Sequence, residues 1–158
     1  MHWTTHVVSG AATGYLIGRP MPAALAGFAS HLVLDAVPHY DPDSEIGYVI
    51  DSLAGLAVLV ALSRWHRIRR IDPSRAALFG AVGSALPDVE LLVKLFKDIE
   101  SEQYLFPAHD GTIVHGETHR AASTAIQLAL NGILLTLAWR KMRRTYIRRA
   151  SEAGESSG

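Results

Sequence analysis

The chain has 158 residues, no cysteine and a formal charge of zero, with 15 Lys and Arg against 15 Asp and Glu. That length reads as one domain able to bury a substantial core, and the missing thiols exclude disulfides and thiolate metal ligands. A neutral chain exerts no bulk pull on nucleic acid, so no such partner is expected, while 49% apolar residues stands at the upper edge for soluble globular proteins.

Apolar runs separated by breakers predict five helices, at about 4–18, 21–37, 46–64, 74–97 and 118–140, and no run alternates like a strand. The opening "MHWTTH" lacks a basic n-region, and no signal cleavage site is evident. In the first segment His6, Gly10, Gly14 and Gly18 recur every four residues, a face narrow enough for a neighbouring helix to approach closely. The second ends in "SHLVLDAVPHYDPD", where His31 and Asp35 are four apart and share a face, their Cβ atoms about 5–6 Å from one another. His39 continues the stripe if the helix survives Pro38; otherwise it lies with Asp41 in the loop above. The third segment, "IGYVIDSLAGLAVLVALS", is interrupted by one charge, Asp51. In the fourth, "GSALPDVELL" places Asp88 directly after Pro87. A long loop carrying His109 and Asp110 then leads into "HGETH", with His115 and His119 four apart and Glu117 between them. The fifth segment holds "AASTAIQLALNGILLTLAW", 19 residues without a charge and long enough to span a bilayer core. Residues 1–149 thus read as a single helical domain, and 150–158, small and polar, as a disordered tail.

Folding the five segments up and down sorts the charges. One end receives Arg19, five arginines from Arg64 to Arg75 and six basic residues from Arg140 to Arg149, together 12 of the 15. The opposite end and the adjoining helix halves receive 12 of the 15 acids and seven of the eight histidines. A soluble bundle has no reason to sort charge along its axis, whereas a membrane protein obeying the positive-inside rule does. The expected fold is therefore an all-α bundle of about five mostly apolar helices embedded in a membrane. Its basic end and C-terminus would be cytoplasmic and its acidic, histidine-rich end non-cytoplasmic. The competing reading is a soluble helical bundle with basic tips, since three segments fall short of the usual span.

The polar residues of the acidic end define candidate metal ligands: His6, His31, Asp35, His39, Asp51, Asp88, His115 and His119. Imidazole and carboxylate together suit zinc and similar divalent ions, with manganese a second candidate. Ionisable groups at membrane depth are functional candidates by default, because leaving them unpaired costs several kcal/mol. So many nitrogen and oxygen ligands exceed the three or four that one zinc takes, which points to two or more ions. Such centres activate water and suit phosphoester hydrolysis. Glu117 or Asp41 is the candidate general base. The ordinary alternative is a hydrogen-bonded polar core with no metal at all.

Several of these residues resemble known patterns. "SHLVLD" followed by "PHYD" resembles the His-x-x-x-Asp helix of the zinc-dependent phospholipase C and single-strand nuclease superfamily, and Trp3 and His6 in "HWTTH" match its early Trp and His. The early His6, "LPD" at 86–88 and "HGETHR" at 115–120 together resemble the bacterial inner-membrane metal-dependent hydrolase family. Glu90 stands where that family often has a second Asp, and the His–His spacing of "HGETH" is one residue shorter. The resemblance implies an all-helical fold, a divalent metal and hydrolase chemistry on a phosphoester or lipid head group. The alternative from the same ligands is a metal-binding or transport membrane protein without hydrolase activity.

Overall fold

A computed structural model describes residues 2–40, 44–69, 72–89, 105–106 and 118–155 of the chain. Five helices account for nearly all of them, and the described residues contain no strand.

Helix α1, Trp3–Ile17, ends at Gly18, whose φ of 79° is the left-handed conformation that closes a helix; its N–H donates to the Gly14 carbonyl at 2.9 Å. Lys141 adds a second closure, donating from Nζ to the Leu16 carbonyl at 2.6 Å and the Tyr15 carbonyl at 3.3 Å. Helix α2, Pro20–Asp35, begins on a proline, whose missing N–H costs nothing in a first turn. It stops ahead of Pro38, so His39 leaves the expected stripe. Helix α3, Glu45–Arg69, is capped by Ser44, whose hydroxyl accepts the Gly47 N–H at 3.1 Å. Helix α4, Asp72–Ala85, is shorter than the expected 74–97: Pro87 cannot continue the ladder, the chain turns through Leu86 to Val89, and residues 90–97 lie outside the described set.

Helix α5, Arg120–Glu155, runs 36 residues, so of the expected disordered tail at 150–158 the residues through Glu155 are helical. Arginine and lysine are good helix formers, and Arg148 pairs with Glu152 one turn on at 3.6 Å, so the helix propagates past its apolar stretch.

Helices α1, α2 and α4 form the tight centre. They meet at glycines: a Cβ on Gly10, Gly27 or Gly80 would fall onto facing backbone, and Gly80 receives both Gly10 and Gly27. The buried apolar cluster is small, Val7, Ala11, Ala81 and Ala85, with Trp3, Val58, Leu59 and Leu62 laid against it. The large apolar side chains instead point outward, among them Leu25, Ile50, Leu53, Leu128 and Ile133, each more than half exposed.

Helices α3 and α5 flank this centre and carry spans long and apolar enough to cross a membrane, Ile46–Ile68 (23 residues) and Arg120–Arg148 (29 residues). At about 1.5 Å per residue even the shorter reaches about 35 Å, against about 30 Å of hydrocarbon. Only 6% and 11% of their most apolar windows are buried inside the bundle, unlike the core helices of a soluble protein.

Candidate metal centre

Three helix ends converge on one point. The first turns of α1 supply His6, the last turn of α2 supplies His31 and Asp35, and the turn after α4 supplies Asp88. Both imidazoles are fully buried, and Asp35 is 4% exposed. The rings stack with centroids 3.9 Å apart and planes 26° from parallel.

Asp35 spans the two rings. Its Oδ1 lies 3.0 Å from His6 Nε2 and its Oδ2 lies 2.9 Å from His31 Nε2. The i,i+4 spacing on α2 sets the second contact, and the glycine-mediated approach of α1 makes the first reachable. On the far side of its ring, His31 Nδ1 is 2.8 Å from the Ser84 carbonyl and 3.7 Å from Asp88 Oδ2. Both nitrogens of His31 thus face an acceptor.

His6, His31 and Asp88 each bring a ligand atom within 4.8 Å of the others, a group that could hold a metal ion. His6 Nδ1 has no hydrogen-bond partner among the described residues, as expected of a nitrogen reserved for a ligand. The chemistry of the donors points the same way. Asp35 and Asp88 set two carboxyl groups beside two imidazoles, a nitrogen and oxygen donor set that suits a divalent cation. In that arrangement Asp35 holds both rings from behind, as carboxylates that orient histidine ligands do.

Three other expected ligands that the structure describes, Asp51, His39 and His119, are not in this group. Asp51 accepts the backbone N–H groups of Trp3 and Thr4, the latter at 3.3 Å, while its own carbonyl accepts the Thr4 hydroxyl at 2.9 Å. It caps α1 from a neighbouring helix and is not in the His6–His31–Asp88 group. His39 is buried with its Nδ1 2.8 Å from the Val37 carbonyl, inside its own turn, and is also outside the group. His119 is exposed just ahead of α5. Asp41, His115 and Glu117, together with His109 and Asp110, fall outside the described residues.

A polar chain beside the centre is absent from the expected ligand set. The Thr5 hydroxyl donates to Gln127 Oε1 at 2.7 Å, Gln127 Nε2 donates to the Ser123 hydroxyl at 2.9 Å, and the Tyr40 N–H donates to that same oxygen at 2.9 Å. It ties α1 and the turn after α2 to α5. The one sequence signal was Ser123 and Gln127 standing four apart within a charge-free run. Trp3 lays its ring against Gly55 on α3, and its indole nitrogen is buried without a partner among the described residues.

Comparison of the chain with protein-family models, with curated proteins and with solved structures finds no match.

Proposed function

We propose that the protein is a membrane-embedded metal-dependent hydrolase acting on a phosphoester or lipid head group. The observation that carries the reading is the buried constellation itself, two carboxylates and two imidazoles from three helix ends, with His6 Nδ1 open for a ligand. His6, His31 and Asp88 hold the ion, and Asp35 fixes both rings. Bound there, a divalent ion such as zinc or manganese supplies a Lewis acid that makes water a usable nucleophile near neutral pH. Asp88, whose side chain is 13% exposed, is the most open member of the group and marks the side from which substrate enters. Glu117 and Asp41, which lie at this end in the sequence, are the candidates for the base that takes the proton of the attacking water.

Membrane placement follows from the outward apolar faces and from the sorting of charge. The His6 end of α1 and the Asp35 end of α2 lie opposite Lys141 and the arginines at the C-terminal ends of α3 and α5. The positive-inside rule then sets the basic end in the cytoplasm and the centre on the other side.

One observation favours a second reading. Both imidazoles are fully buried, as suits a permanently held or transported ion better than an open catalytic one. Elemental analysis of detergent-purified wild type beside a His31→Ala/Asp35→Ala variant tests the metal, and a phosphoesterase screen tests turnover. At least one equivalent of zinc or manganese, lost in the variant together with turnover, supports the hydrolase. Metal without turnover supports the second reading, and a folded, metal-free wild type purified without chelator removes both.

A further inference from the structure

Between α3 and α4, on the side away from the metal centre, lies a crevice of about 380 Å³. Leu59, Val60, Leu78, Phe79 and Val82 line it, and its surface is almost wholly apolar. It opens outward on a helix that carries one of the two apolar spans. In a bilayer such a crevice faces hydrocarbon, and an apolar groove there is filled by an acyl chain and not by water.

The end of the crevice is cationic. Arg67 lines it beside Ser63, to whose hydroxyl it donates at 3.4 Å. Arg75, in the first turn of α4, sets its guanidinium carbon 5.5 Å from the centre of the ring of Phe79, which lines the same crevice. His66 Nδ1 and the Ser74 hydroxyl, 3.2 Å apart, tie the two helix ends together. Among the described residues neither guanidinium meets a carboxylate. From Leu59 to Arg67 is eight residues, about 12 Å along a helix, which fits within one leaflet of about 15 Å of hydrocarbon. A second copy of the chain is a poor occupant, since it would set one basic end against another.

We propose that this crevice is a site for an anionic phospholipid of the leaflet at the basic end, one acyl chain lying along Leu59, Leu78 and Val82 and the phosphate at Arg67 and Arg75. The site rests on the bilayer reading alone and is independent of the hydrolase. Native mass spectrometry of the full chain, ejected from vesicles of equal phosphatidylglycerol and phosphatidylcholine, tests it. Interfacial arginines favour anionic lipid by about fivefold each, so wild type should carry phosphatidylglycerol over phosphatidylcholine by at least about fivefold. Arg67→Gln/Arg75→Gln should bring the ratio near one, and Val82→Trp, which fills the crevice and leaves both arginines, should reduce adducts of both lipids severalfold. A wild-type ratio near one overturns the site, as does a ratio unchanged in the double variant or undiminished adducts in Val82→Trp. A chain that never partitions into the vesicles overturns the bilayer reading and the site together. Metal content measured on the same samples keeps the hydrolase question separate: a metal-free chain that still selects phosphatidylglycerol supports this site.

Discussion

Asp35 gives one oxygen to each of two buried imidazoles, so it sets the orientation of both at once. Replacing it by Asn keeps the shape and removes the charge. Zinc affinity should then fall about 10–100-fold with helicity retained, as read by competition with a chromophoric chelator. Asp51 predicts the opposite pattern. Asp51→Ala strips the cap from the first turn of α1 and should cost about 0.5–2 kcal/mol in unfolding, with metal content unchanged. The contrast also marks what a sequence can disclose. His31 and Asp35 were legible because a helix puts positions four apart on one face, and Asp88 because it interrupts the apolar run "GSALPDVELL" directly after Pro87. Asp51 offered the same signal, a lone acid in an apolar run, but only the packing of α3 on α1 reveals which donors it meets. Thr5 and Gln127 are separated by 122 positions, and no local spacing connects them.

At the level of elements, the glycines of α1, α2 and α4 decide whether the centre exists. The four-residue recurrence of Gly10 and Gly14 foretold a close approach, and what receives it is a matching row of small residues on α4, Ala76, Gly80 and Ser84, whose pairing with α1 no local spacing reveals. Gly80→Ala should separate α4 from both neighbours and cost about 1–3 kcal/mol. Because the ligands ride on those same three helices, bound metal should fall with it. Gly132 on α5 is the control, having nothing within 4 Å of an added Cβ. Gly132→Ala should leave stability unchanged or raise it by up to about 1 kcal/mol, the helix-propensity difference. Thermal unfolding in detergent distinguishes the two. Helix ends were less legible than helix cores, and for physical reasons. Pro87 stopped α4 where an apolar run seemed to continue, while arginine-rich sequence extended α5 beyond the point where hydrophobicity fades.

For the whole molecule, the ordinary relation of inside to outside is inverted: alanine, glycine, histidine and serine occupy the centre, and the large aliphatic side chains face outward. Apolar surface on that scale marks an interaction with a membrane or a partner. Its orientation is open to direct test, because a chain without cysteine gives no background in thiol labelling. Ser151→Cys should react with an impermeant maleimide only from the cytoplasmic side, and Ser44→Cys only from the opposite side. Reversed labelling would invert the topology and place the metal centre in the cytoplasm. The length of α5 carries a mechanical consequence. Its 36 residues make a rod of about 54 Å, so a crossing of a hydrocarbon layer about 30 Å thick would leave roughly 24 Å of an upright rod outside it. The helix is continuous across Arg140, where the apolar stretch gives way to basic residues, with no break in the rod. Lys141 fastens this rod to the end of α1, and Gln127, 14 residues or about 21 Å back along it, fastens it to Thr5, one residue from His6, so one straight shaft is held to α1 at two points.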